Sequence, residues 1–234
     1  LEETLDSQQT EHTTREARSF DDTIPGIKPP IGHLHLVSQA IDEISRVFMD
    51  IGFVRRRYPE VETDFYAFEG LNMPSTHAAR DEWETFFVEP DFVLTPHTSS
   101  GQVREMERGE LPIRMINISK TYRRQSDISH VPMFHQFEGL VVDRGIHITH
   151  LKGTLDYFAK NFFGETRKTR LRPYDFRFTE PSFEIDITCG VCGGKGCKLC
   201  KQGWLELGGA GMVHPNVLKA GGIDPTEYSG FAFG

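Results

Sequence analysis

Apolar side chains fall into two spacings along this chain. Between His35 and Gly52, Val37, Ile41, Ile44, Phe48 and Ile51 recur every three to four residues, which predicts an amphipathic helix with one apolar stripe. Leu151, Leu155, Phe158 and Phe162 repeat that spacing, with Thr149 as the expected N-cap, and predict a packing helix. Leu111 to Ser119 alternates instead, with Ile116 and Ile118 flanking Asn117, as a strand does. Thr121 to Val142 reads as strand, loop, strand: Arg123 and Arg124 come first, Asp127 and His130 fall in the polar loop, and an apolar alternation resumes after Phe134. On the second strand Gln136 and Glu138 share one face, two polar groups on an otherwise apolar element, and Phe137 and Leu140 are expected off that face. Tyr174 to Glu180 reads as another strand, with Phe176 and Phe178 on one face and Arg177 opposite.

Pro25, Gly26, Pro29 and Pro30 make residues 22–31 an extended linker, and residues 1–20, rich in Glu, Gln and Thr without firm periodicity, read as a leader with no packed face. The division expected is therefore leader and linker over 1–30 and one domain over 31–234, a length that can bury a substantial core. Lys and Arg number 26 against 34 Asp and Glu, a formal charge of -8, which excludes a generic nucleic-acid-coating protein. Basic clusters at 55–57, 123–124 and 167–172 confine any RNA contact to local patches. No apolar run approaches the roughly 20 residues a membrane span needs, so a cytoplasmic protein is expected.

All four cysteines lie in one segment, Cys189, Cys192, Cys197 and Cys200, as two CxxC hooks joined by a glycine-rich connector. That is the spacing of a local metal site, and tetrahedral zinc is its natural occupant. A redox CxxC pair and unligated thiols are the competing readings. Elsewhere, a guanidinium such as that of Arg123 can hold a phosphate bidentately and a ring such as Phe134 can stack on a base, which together suggest a nucleotide site. The plain alternative is an antiparallel hairpin with a solvated Arg-rich end. Phe176 and Phe178 could grip a phenyl group or serve as two core rings.

Arg123 or Arg124 with Asp127 and His130, followed by Met133-Phe134-His135-Gln136-Phe137-Glu138-Gly139-Leu140-Val141-Val142, closely resembles motif 2 of the class II aminoacyl-tRNA synthetases, in the form found in alpha chains of bacterial phenylalanyl-tRNA synthetases. The resemblance extends from about Phe20 to Gly234 through Leu71-Asn72-Met73-Pro74, His77-Ala78-Ala79-Arg80, Thr85-Phe86, His97 to Gln102, Gly203-Trp204-Leu205-Glu206, Gly208 to Asn216 and Gly230 to Gly234. It implies an α+β class II catalytic domain, an antiparallel sheet flanked by helices, carrying the four-cysteine segment 189–200 as a zinc-knuckle-like insertion. The helix from His35 then resembles motif 1, which lies at a subunit interface in that family; on its pattern alone it is equally a core helix.

Carried over residue by residue, the resemblance implies that Arg123 contacts the alpha-phosphate of ATP, His130 the neighbouring phosphates, and Phe134 the adenine. His97, Ser99 and Gln102 would hold the polar end of the amino acid, although such a Thr-Ser loop taken alone would be capping chemistry. Gln136 and Glu138 would bind the ammonium, and Phe176, Phe178, Ala232 and Gly234 would form the phenylalanine pocket. Glu180 and Glu184 are candidates for Mg2+ contact. The departures are Ala78, Glu84, Thr95-Pro96, Gln125 and Arg177, where the family usually has Pro, Asp, Arg-Thr, an acid and Pro. The activity implied is ATP-dependent activation of L-phenylalanine and transfer to phenylalanine tRNA, by an enzyme of two alpha and two beta chains with editing in the beta chain. A non-catalytic synthetase-like binding module is the alternative, motivated by Gln125, Arg177 and a sequence that stops before motif 3; a class II synthetase for another amino acid is a third. The sequence is expected to be a fragment at both ends, incomplete as an enzyme by itself.

Overall fold

The computed structural model describes Thr23 and residues 25–76, 85–124 and 130–234. Residues 1–20, His77 to Arg80, Glu84, Gln125 and Asp127, all named above, lie outside the described residues. The chain divides into two compact units, 1–34 and 35–234. In the first, residues 25–34 form no helix or strand and are exposed, in keeping with the proline and glycine spacing.

The second unit is built on a seven-stranded sheet in the order β1 (Val54–Arg56), β5 (Ile113–Tyr122), β6 (Met133–Asp143), β10 (Ser229–Phe233), β9 (Trp204–Val213), β8 (Thr179–Thr188) and β7 (Thr169–Tyr174). β1 runs parallel to β5, and all other neighbours are antiparallel. A small sheet of β2 (Val61–Thr63), β4 (Phe92–Leu94) and β3 (Phe87–Glu89) stands apart from it.

The central strands are apolar on both faces because both faces are covered. Ile116, Ile118, Val141, Phe231 and Phe233 pack against Ile44, Val47 and Phe48 of α1 (Leu36–Met49) and Leu151, Leu155 and Phe158 of α4 (Ile148–Phe163). Phe48 is the centre of that layer, stacked on Phe158 at 5.1 Å and on Phe233 at 5.3 Å between ring centroids. Each such pair contributes about 0.5–1.5 kcal/mol beyond area burial. Met115, Leu140, Val142 and Ala232 point the other way, against Phe68 and Leu71, against Val103 and Met106 of α3 (Ser100–Met106), and against Val217 and Leu218 of α5 (Pro215–Ala220).

Four expectations are corrected in detail. Leu140 pairs across the sheet with Ala232 and Met115, so it shares the face of Gln136 and Glu138: the period of two puts even-numbered residues of β6 together. The helix expected over 35–52 runs Leu36–Met49, and of its stripe Ile44 and Phe48 are buried, Ile41 and Ile51 half-buried and Val37 exposed, while Val47, outside the stripe, is buried too. His147 rather than Thr149 is the N-cap of α4, its backbone N–H donating to His150 Nδ1 at 3.0 Å. Phe176 and Phe178 belong to the turn between β7 and β8, not to a strand. That turn is closed on the Phe176 carbonyl, which accepts from Thr179 N at 3.1 Å and Ser182 Oγ at 3.1 Å.

Candidate active site

Glu138 points from β6 into the covered face of the sheet and is 2% exposed. Thr98 Oγ1 and Ser99 Oγ donate to its Oε2 at 2.9 and 2.6 Å, and Gln102 Nε2 donates to Oε1 at 2.7 Å. The entry to α3 supplies all three donors, because the Thr98 and Ser99 hydroxyls precede the helix and Gln102 lies in its first turn. Burial raises the Glu138 pKa above the usual carboxylate range, while the Ser99, Gln102 and Thr98 hydrogen bonds pull it back in part. None of the ion pairs among the described residues includes it. A buried carboxylate held by neutral donors alone lacks the cation that would offset its desolvation.

The same cavity holds further acceptors. Gln102 Oε1 and Gln136 Oε1 are buried without a hydrogen-bond partner among the described residues. Two amide oxygens and a carboxylate form a set of acceptors, the complement of an ammonium, which has three donors and no acceptor. The cavity, of about 510 Å3, runs from this cluster between the Phe176–Phe178 turn and the inner edge of β9.

Its aromatic wall is Phe176, Phe178 and His97. The two phenylalanine rings stack at 5.7 Å and 25°, and His97 lies 6.4 Å from Phe178 at 28°. Burial, together with the nearby Arg123 charge, pushes the His97 pKa down to about 3, so its imidazole is neutral. Gly209 and Gly234 exchange both backbone hydrogen bonds, at 2.8 and 2.9 Å, and line the cavity with Ala232. A Cβ on Gly209 would come within 2.8 Å of the Phe176 ring, so the glycine sets how closely that ring approaches. Arg123 also lines the cavity, with Nε donating to Pro96 O at 3.2 Å and its guanidinium 5.1 Å from the centre of the Phe134 ring.

His97, Ser99, Gln102, Arg123, Phe134, Gln136, Glu138, Phe176, Phe178, Ala232 and Gly234 therefore line one cavity. His130, Glu180 and Glu184 do not line it: His130 and Glu180 are exposed, and Glu184 pairs with Arg172 at 2.6 Å. Sequence reasoning missed Thr98 as a third donor to Glu138, although the hydroxyl run Thr98-Ser99-Ser100 before a helix was the available signal. It also missed the rim residue Glu206.

Beyond β8, the four cysteine sulfurs converge to within 4.8 Å of one another. The Cys189–Cys197 separation is 3.9 Å, and Cys200 lies 3.5 Å from both Cys192 and Cys197. Zinc–sulfur bonds of about 2.3 Å in a tetrahedron give edges of about 3.8 Å, so these thiols fit such an ion. Gly196 N and Gly203 N donate to Cys192 Sγ and Cys200 Sγ at 3.3 and 3.2 Å. The closeness needs glycine: Gly203 has φ +89°, and a Cβ there would be 2.2 Å from Gly194 O.

Residues 19–234 match the family model described as the class II core domain of tRNA synthetases (F). Among similar curated proteins, the phenylalanine–tRNA ligase alpha subunit of Lachnoclostridium phytofermentans is 48% identical over 242 residues, covering 100% of this chain and 71% of its own. That of Caldanaerobacter subterraneus subsp. tengcongensis is 52% identical over 217 residues, covering 92% of this chain and 64% of its own. Among solved structures, pyrrolysyl-tRNA synthetase from Desulfitobacterium hafniense superposes with a TM-score of 0.61 at 16% identity, covering 85% of this chain and 66% of that one. At that identity the likeness shows the fold alone. The chain thus spans 64% to 71% of the length of these two curated relatives.

Proposed function

The chain belongs to the class II tRNA synthetase family, among the phenylalanine–tRNA ligase alpha subunits, and from that premise we propose that it forms the aminoacylation site of a phenylalanine–tRNA ligase. The observation that carries the reading is Glu138, a buried carboxylate with three neutral donors, in a cavity that also has a phenyl-sized aromatic wall. An aromatic amino acid satisfies both. Its ammonium meets Glu138 and the amide oxygens of Gln136 and Gln102, and its ring lies among Phe176, Phe178 and Ala232.

Activation then requires a carboxylate oxygen of phenylalanine to attack the alpha-phosphorus of ATP in line. A P–O bond forms to the carboxylate, the bond to the bridging oxygen breaks, and pyrophosphate leaves. No protein nucleophile is needed, so the chain contributes positioning and charge. Arg123 offsets charge on the alpha-phosphate, and Phe134 supplies a face for adenine, with His130 toward the other phosphates. Burial lowers the Arg123 pKa from its ordinary value, and a phosphate returns the lost compensation. In the second step the terminal ribose hydroxyl of the tRNA attacks the activated carbonyl and AMP leaves.

Magnesium, when bound, neutralises phosphate charge; it is typically held by one or two carboxylates plus the substrate phosphates, and Glu180, exposed beside the cavity-lining Thr179, is a carboxylate free to serve. Zinc at Cys189, Cys192, Cys197 and Cys200 has a structural role in this reading, supported by the sulfur separations. The enzyme assembles with a beta chain, as the relatives' subunit name supports, and a cytoplasmic place of work follows from the synthetase reading itself. No helix among the described residues is long and apolar enough to cross a membrane.

The test is amino-acid-dependent ATP–pyrophosphate exchange by the complete enzyme. Exchange with L-phenylalanine and little with L-tyrosine is expected, and Ala232→Trp should abolish it by filling the pocket. Exchange driven by another amino acid, or unaltered phenylalanine affinity in Ala232→Trp, would refute the reading.

A further inference from the structure

We propose that the cysteine module is an RNA-binding knob whose lysines contact the phosphate backbone of the tRNA beside the mouth of the cavity; this rests on the synthetase function proposed above. In a chain of formal charge -8, residues 189–203 carry Lys195, Lys198 and Lys201 and no Asp or Glu. All three lysines are exposed, and none forms an ion pair among the described residues. Two more cations stand at the base. Arg167 Nη1 donates to Thr188 O at 2.9 Å, and exposed Lys168 accepts on its carbonyl from Thr188 N at 3.0 Å.

The neighbouring arginines are used differently. Arg170 and Arg172 lie at 2.7 Å from Asp186, and Arg172 also pairs with Glu184 at 2.6 Å, so two carboxylates offset these two cations. Four thiolates around a zinc ion carry -2 against the lysines' +3, but Cys189 and Cys200 are buried while all three ammonium groups are exposed, so the surface the module offers to solvent is cationic. The hairpin is also held stiffly. Cys189 N donates to Gly203 O at 2.8 Å, Lys201 N donates to Cys197 O at 2.7 Å, and Gly194 and Gly203 touch. A cation cluster of fixed shape on an acidic protein is a local electrostatic footprint for a polyanion.

Its place on the chain selects the polyanion. β9 starts at Trp204, directly after the module, and Glu206 on the cavity rim is two residues further, about 7 Å along the strand. An RNA presenting its end to this cavity passes the module. Lysine suits phosphate as a point charge and is depleted at protein–protein interfaces, which favours RNA over an acidic protein surface. Val191 and Leu199, also exposed here, are the features an apolar protein partner would use, so the test must separate the two.

The experiment uses the complete enzyme carrying Lys195→Gln, Lys198→Gln and Lys201→Gln together, with its zinc content and partner-chain assembly checked. Phenylalanine tRNA is titrated at several salt concentrations, and phenylalanine-dependent ATP–pyrophosphate exchange, which needs no RNA, is measured in parallel. The expected result is a tRNA affinity at least 10-fold weaker at low salt and a shallower salt dependence, by about 0.7–0.9 in log–log slope per lost contact. Exchange and zinc content stay unchanged. Lys168→Gln, which leaves the module intact, should weaken tRNA binding by about 2–3-fold in the same direction, one contact's share of a phosphate-dominated affinity. Unchanged tRNA affinity and salt slope in both variants overturns the proposal, as does weakened partner-chain assembly with tRNA binding intact. Absence of exchange in the unaltered enzyme would count against the synthetase reading instead, so the two failures are distinct.

Discussion

Ser99 Oγ donates to Glu138 Oε2 at 2.6 Å, across a separation of 39 residues in sequence, and both groups are buried. This contact ties the turn before α3 to the middle of β6. It holds a carboxylate that no cation among the described residues pairs with, an arrangement that makes sense energetically once a cationic ligand enters.

Glu138→Gln tests that arrangement through two opposed effects. Removing the charge should weaken phenylalanine binding by about 10–150-fold, the equivalent of about 1.5–3 kcal/mol for a hydrogen bond to a charged group. The free protein should instead become more stable at neutral pH. Because burial raises the Glu138 pKa above its unfolded value of about 4.3, the folded form holds its proton more tightly. The stability associated with the protonated form is complete below that pH and is lost as pH rises through the higher folded value. Thermal melts should therefore diverge above about pH 4 and coincide below it. Equal melts at pH 7 with lost binding would show that burial of this carboxylate carries no penalty.

His97 gives the opposite sign. Its pKa is pushed down to about 3 in the folded protein, against an ordinary 6.5. Between those values the unfolded chain binds the extra proton, so this residue's contribution is complete above about pH 6.5 and falls as the solution is acidified, by at most about 1.4 kcal/mol per pH unit. His97→Asn should flatten the stability profile between about pH 4 and 6, inside that window, relative to the unsubstituted protein, as measured by denaturant unfolding. An unaltered slope would mean that His97 is protonated in the fold.

Much of this site could be read before the structure, and the reasons differ by residue. Gln136 and Glu138 stood out because a period of two places both on one face of a strand otherwise apolar. The same period should have put Leu140 there; it does, beside Ala232. The spacing of two between Phe176 and Phe178 fits a strand and a turn alike, and only the closure on Phe176 O reveals the turn. The meeting of the 97–102 turn with β6 was invisible locally, since its hydrogen bonds span 36 to 40 residues. Family resemblance supplied it. The helix pattern at 35–52 gave the element but not the burial of its first turn, because a stripe says which residues can be covered and not what covers them.

Metal removal separates the cysteine module from the core. About one zinc per chain is expected by elemental analysis. Chelation should make residues 189–203 sensitive to protease while the cooperative melt of the sheet core survives, because the module lies beyond the β8–β9 pairing that ends at Thr188 and Trp204. Metal-free protein with four reactive thiols would remove the zinc assignment, and global unfolding on chelation would make the ion part of the core.

Two glycines that face phenylalanine rings should respond differently to alanine. At Gly139 the new Cβ would meet the Phe233 ring at 2.2 Å, and Phe233 is 2% exposed and stacked on Phe48. That ring has nowhere to go, so Gly139→Ala should destabilise the protein by about 1–3 kcal/mol or more, as overpacking does. At Gly209 the Cβ would meet Phe176 at 2.8 Å, but Phe176 is on a turn and half-buried. The ring can swing, and the cost moves from stability to the shape of the cavity. Gly209→Ala should leave the melting temperature within a few degrees and raise KM for phenylalanine by about 10-fold, equivalent to about 1.4 kcal/mol. ATP affinity should change far less, since a Cβ on Gly209 meets the Phe176 ring and neither Arg123 nor Phe134. If Gly209→Ala instead destabilised the fold as much as Gly139→Ala while binding phenylalanine normally, Phe176 would be a core ring and not the wall of a substrate pocket.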